Sequence, residues 1–108
     1  MFAVTVRQRI VFGTEQWPSG GFVEQAYARA SRSLTLPFTP FIGLQISDEN
    51  GFHCKIISIT WRCERNEFEC WCGDYQVERD GPDGCRDPQG FVDQEVEVGW
   101  NVSKVVFL

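Results

Sequence analysis

Apolar and polar residues alternate along the first dozen positions. Phe2, Val4, Val6, Ile10 and Phe12 occupy even positions with Gln8 among them, while Thr5, Arg7 and Arg9 occupy odd ones. A period of two sends successive side chains to opposite faces, so this stretch predicts a half-buried strand with its even face inward and Arg7 and Arg9 outside. Gly13 to Gly21, containing Trp17-Pro18-Ser19-Gly20-Gly21, reads as a loop from its turn residues. Phe22 to Leu36 fits two templates. Phe22, Val23, Ala26, Tyr27 and Ala30 make a helical stripe, whereas Phe22, Ala26, Ala28, Ala30, Leu34 and Leu36 make an apolar even face. The β-prone end Ser33-Leu34-Thr35-Leu36 and the lack of a capping box before Phe22 favour a strand returning beside the first, with Arg29 on its polar side.

Pro37 and Pro40 then interrupt any ladder, because neither can donate a backbone hydrogen bond. Ile42 to Ser47 predicts a short strand and Asp48-Glu49-Asn50-Gly51 its turn. Lys55 to Cys63 and Phe68 to Tyr75 predict a hairpin closed by Glu64-Arg65-Asn66-Glu67. A symmetric loop there pairs Cys63 with Phe68, Trp61 with Cys70 and Ile59 with Cys72. One face then carries Ile57, Ile59, Trp61, Cys63, Phe68, Cys70 and Cys72, while Trp71 falls on the other and Cys54 has the exposed parity. After a polar loop from Arg79 to Pro88, Phe91, Val92, Glu95, Val96, Gly99 and Trp100 lie at helical spacing behind Asp87-Pro88, an N-cap followed by proline at the first helical position. Val102 to Leu108 predicts a closing strand.

Together these elements predict an α+β domain, a curved antiparallel sheet of five to six strands bent toward a half-barrel, with one C-terminal helix over its open face. The 108 residues suffice for one domain, residues 1–108, with a core that needs no metal or disulfide. At 43% hydrophobic and 23% charged residues the composition is globular, which excludes a disordered tail or a coiled coil. No apolar run approaches the ~20 residues of a membrane span, and Arg7 and Arg9 inside the N-terminal apolar stretch argue against a secretory signal. A cytoplasmic chain with reduced thiols is the expectation. The net charge of −5 divides into +2 up to residue 63 and −7 beyond it, so nucleic acid is not an expected partner.

Five cysteines raise the question of metal chemistry. Cys70 and Cys72 point the same way on a strand, and with Cys63 opposite they offer three sulfurs, with His53 or Cys85 as a fourth ligand for zinc. These thiols alternate with core residues, however, and reduced cysteine packs as a small hydrophobe, so core packing is the preferred reading and no metal or cofactor is assigned. His53 and Cys54 are sequence neighbours, which a strand throws to opposite faces, a poor dyad. Asp80, Asp83 and Asp87 do not match the spacing of a calcium loop. No phosphate-cradling glycine motif, nucleophile elbow or zinc-protease helix is present.

What remains is surface chemistry. Trp17, Phe38, Phe41 and Trp71 fall in loops or on outer faces and suit an interface or a ligand cleft, while Arg7 and Arg9, with Arg29 nearby, suit an anion. The leading expectation is a ligand- or protein-binding module acting as a homodimer through its sheet edges. The alternatives are a small enzyme with His53 or a carboxylate as general base, and a zinc-stabilised domain through Cys63, Cys70 and Cys72. The run Arg32-Ser33-Leu34-Thr35-Leu36-Pro37-Phe38-Thr39-Pro40-Phe41-Ile42-Gly43-Leu44 resembles uncharacterised small bacterial proteins of the kind carried on mobile gene cassettes. The resemblance implies a compact, often oligomeric α+β domain and brings no function with it.

Overall fold

A computed structural model describes residues 1–16, 20–47, 53–79 and 84–108. Its elements follow as β1 (Phe2–Gln16), β2 (Gly21–Leu36), β3 (Gln45–Ser47), β4 (His53–Arg62), β5 (Glu67–Cys72), β6 (Tyr75–Glu78), α1 (Pro88–Glu97), β7 (Asn101–Val102) and β8 (Val106–Phe107). The strands form one open sheet in the order β3-β4-β5-β1-β2-β7, with β6 also against β1 and β8 also against β2. The fold is α+β and dominated by its sheet, with eight strands among the described residues where the hydrophobic alternation gives five to six. The β1–β2, β3–β4, β4–β5, β2–β7 and β2–β8 ladders are antiparallel. β1, however, runs parallel to both β5 and β6. Residues 37–44 make this possible by carrying the chain from the β2 side of β1 to the β4 side.

The even residues of β1 and β2 build the core. Val4, Val6, Ile10 and Phe12 meet Ala26, Ala28 and Ala30, and all are buried with Cys54, Ile56, Cys70 and Cys72 from the other hairpin. Residues 22–36 are therefore a strand, and their helical stripe is not used. Alanines opposite large residues keep the β1–β2 layer thin enough for α1 to pack over one end. There Phe91 meets Phe12 edge-on at 5.7 Å and stacks on Tyr75 at 6.4 Å. The helix starts as the sequence predicts: Asp87 is extended at the N-cap, Pro88 follows at the first helical position, and Phe91 N–H donates to the Asp87 carbonyl. Gly99, at φ 106°, ends it.

Three departures from the expected pattern matter. First, Gly13 to Gln16 are strand rather than loop; β1 continues past Phe12 with a register shift between Phe12 and Gly13. A Cβ at Gly13 would stand 2.0 Å from the Val23 carbonyl oxygen, so the close approach of β2 needs glycine there. Second, the hairpin turns over Cys63–Asn66, one residue earlier than expected. Asn66 takes the positive φ of 52°, a conformation asparagine tolerates better than most residues, which frees Glu67 to pair with Arg62. The facing pairs become Trp61 with Phe68 and Ile59 with Cys70. Third, an irregularity between Ile56 and Ser58 reverses the parity of the start of β4. Ile57 is consequently 60% exposed, whereas Ile56 and Cys54, assigned outward by simple alternation, are fully buried. The closing strand divides into β7 and β8. Trp17 and the turn at 48–51 lie outside the described residues, as do Asp80, Asp83 and the side chain of His53.

Candidate functional site

The polar face of the sheet reads as rows across neighbouring strands. Ser58 of β4 faces Trp71 of β5, Trp71 faces Arg7 of β1, Arg7 faces Ser31 of β2, and Ser31 faces Asn101 of β7. Beside this row Arg9 faces Arg29. Between them is a groove of about 460 Å³ lined by Arg7, Gln8, Arg9, Arg29, Ala30, Ser31 and Trp71. That size falls within the range of small-molecule sites, which pair an apolar lining with a few placed polar groups.

Carboxylates fix two of the three arginines. Arg7 Nε lies 3.4 Å from Glu69 Oε2, and Glu69 is shared with Arg62, whose Nη2 donates to Oε1 at 3.1 Å. The Trp71 indole Nε1–H donates to the same Oε1 at 3.1 Å, so one carboxylate orients both a ring and a guanidinium of the groove. The Glu69 carboxyl is held below the usual carboxylate range, chiefly by the Arg62 hydrogen bond, against an opposing push from burial and with further help from Trp71. Arg9 pairs with Glu24 and, at 3.4 Å, with Asp74, and its guanidinium sits 4.9 Å from the Tyr27 ring centroid. The break between β5 and β6 at Gly73 and Asp74 places that aspartate. Gln8 Nε2, reaching from the inner face, donates to the Gly73 carbonyl at 2.7 Å and holds the break in position.

Arg29 differs. Its backbone is anchored to Ser103, through N–H to Oγ at 2.9 Å and through its carbonyl from Ser103 N–H at 2.9 Å. Its exposed guanidinium has no carboxylate in ion-pair reach among the described residues.

Arg7, Arg9 and Trp71 are thus brought together. Phe38 and Phe41 form a separate pair, their ring centroids 6.1 Å apart and both side chains exposed, and they do not line this groove. The three sulfurs proposed for zinc do not converge: Cys63 is exposed on the hairpin turn, whereas Cys70 and Cys72 are buried. Among the described residues no group of three or more His, Cys, Asp or Glu side chains is arranged to hold a metal. The buried thiol partner of Cys72 is Cys54. Their hydrogen bond, with burial, raises the Cys72 thiol well above the ordinary range, and burial pushes Cys70 up to about 11. These are packed core thiols. No helix among the described residues is long and apolar enough to cross a membrane.

Sequence reasoning missed Glu69, Glu24 and Asp74 as partners of the site. Arg9 and Glu24 meet through the β1–β2 hairpin, but Glu69 and Asp74 arrive through the parallel ladder, for which the sequence carries no local signal. Comparison with protein-family models, with curated proteins and with solved structures found no match for this chain.

Proposed function

We propose that this protein is a small ligand-binding module whose groove on the polar face of the sheet admits a small organic anion. The observation that carries the reading is the unpaired guanidinium of Arg29 among the described residues, beside a groove that also presents Trp71. Arg9 and Arg29 face each other across a ladder, an arrangement that repels unless each charge finds a counterion. Arg9 has Glu24 and Asp74; an anion in the groove supplies the equivalent for Arg29. Ser103 fixes the backbone of Arg29 and Glu69 fixes the Trp71 ring, which lowers the part of the ordering entropy those groups would lose when a ligand arrives. Amide chemical-shift mapping during titration with benzoate tests this. Shifts should concentrate at Arg7, Arg29, Ser31 and Trp71; shifts scattered elsewhere, or none, would count against the groove.

A second reading concerns assembly. Residues 58–62 of β4 have β5 as ladder partner on one side and no strand on the other among the described residues. From Ile56 to Trp61 that strand carries no charge, and Ile57 and Trp61 are 60% and 46% exposed. An uncharged edge of this kind is a template for pairing with a second copy in an isologous, closed dimer. We therefore propose a homodimer joined through β4, leaving the groove over β5, β1 and β2 open.

A further inference from the structure

The class of ligand follows from which charges in the groove are already compensated, given that the groove is the binding site. We infer that it takes a small aromatic acid of single negative charge, its carboxylate on Arg29 and its ring against Trp71.

Glu69 holds Arg7, and Glu24 with Asp74 holds Arg9, so the groove offers one uncompensated guanidinium among the described residues. A guanidinium fork matches a carboxylate with two parallel hydrogen bonds. A dianion such as a phosphate monoester would bring a second charge with no cation left for it, close to Glu69, Glu24 and Asp74. The charge pattern therefore selects a monoanion. Ser31, two residues along the same face of β2 from Arg29, adds a hydroxyl donor on the same side of the groove.

The ring follows from Trp71. Its side chain is 44% exposed, and the indole N–H is tied to Glu69, so the ring is fixed in orientation while part of its surface stays open to the groove. Trp71 on β5 and Arg29 on β2 are separated by β1 and offset by two residues along the strands, a diagonal of about 12 Å. Arginine reaches back over part of that span, so an aryl ring, a short methylene spacer and a carboxylate bridge the rest. Arg7, in the row of Trp71 and diagonal to Arg29, lines the groove between them, and its aliphatic part provides the floor under the spacer.

Three probes of the full chain separate the possibilities by calorimetry and amide shift mapping at pH 8: 3-phenylpropanoate, its neutral amide, and phenyl phosphate. The expected order places 3-phenylpropanoate at least ten-fold tighter than either of the others. Arg29→Gln should abolish the preference for acid over amide, and because its exposed guanidinium has no partner among the described residues the fold is retained. Trp71→Leu should weaken acid and amide together, and Trp71→Phe should restore part of both. Equal affinity for acid and amide, or tightest binding of phenyl phosphate, with shifts still at Arg29 and Trp71, overturns the ligand class and leaves the groove standing. Absence of shifts at those residues with all three probes overturns the groove as well.

Discussion

Glu69 carries more of the site than any other single side chain. It is nearly buried, accepts from Arg62 and Trp71, and pairs with Arg7. Glu69→Gln keeps the shape and an acceptor for the indole but removes the charge that holds two guanidiniums, a loss of about 1–3 kcal/mol in unfolding free energy near neutral pH. The pH dependence has a definite sign. A carboxyl whose folded-state pKa is lowered stabilises the fold above its unfolded-state pKa, and that contribution fades as pH falls through the folded value. Urea denaturation of both chains should show their difference full at pH 7 and shrinking as the pH falls below the ordinary carboxylate range; a difference undiminished in acid would mean Glu69 acts through shape rather than charge. The thiols give a second residue-scale test. Of the five cysteines, Cys63 is exposed and Cys85 half-buried, while Cys54, Cys70 and Cys72 are buried, with the thiols of Cys70 and Cys72 shifted upward. An aromatic disulfide reagent should modify two thiols quickly in the native protein and all five after denaturation. Rapid native modification of a third would show that the core around Cys54 opens.

At the scale of elements, the two places where the chain departs from regular alternation decide which residues enter the core. The irregularity after Ile56 predicts opposite outcomes for neighbouring isoleucines. Ile56→Ala removes a fully buried side chain and should cost about 2–5 kcal/mol, while Ile57→Ala, at a position exposed within the single chain, should stay within about 0.5 kcal/mol when both are measured at dilutions that keep the chain monomeric. Denaturant midpoints of the two variants check this, and a reversed order would restore the uninterrupted strand. Gly13→Ala drives a Cβ against the backbone of Val23 and should cost about 1–3 kcal/mol. These places also mark how far the sequence could be read. The first strand as far as Phe12, the inward set Val4, Val6, Ile10 and Phe12, the helix behind Asp87-Pro88, and the outward placement of Arg7, Arg9 and Trp71 follow from local periodicity, whereas β2 fits a helical stripe equally well and only its β-prone end and missing capping box favour a strand. Cys54 was misplaced because one irregular residue inverts parity for everything before it. The hairpin pairing shifted because Asn66 accepts a left-handed backbone and so belongs to the turn. The grouping of Trp71 with Arg7 was not legible at all, since it requires β5 to lie parallel to β1, and pairing between strands so distant in sequence leaves no trace in their composition.

The whole molecule is extended for its length. Its radius of gyration is 15.0 Å with extents of 43 × 30 × 24 Å, against about 13 Å for a compact domain of this size. One ten-residue helix covers the Phe12 end of the inner face, and at the opposite end Phe2, Phe68 and Trp61 pack on one another with Phe2 and Trp61 still partly exposed. The uncharged edge of β4 ends in this same aromatic group, so pairing of β4 with its counterpart in a second copy would complete a continuous sheet and shield Ile57 and Trp61 together. The groove begins at Trp71 on β5, one strand in from that edge, and no residue of β4 lines it, so pairing through β4 should leave it open. Sedimentation equilibrium should therefore give twice the 12.4 kDa of one chain. Ile57→Lys places a charge on the free edge without touching a buried position, and it should yield a monomer that keeps the wild-type affinity for 3-phenylpropanoate. A wild-type monomer, or an Ile57→Lys chain that remains dimeric, would remove β4 as the interface. Loss of ligand binding in the monomer would show instead that the second copy completes the groove.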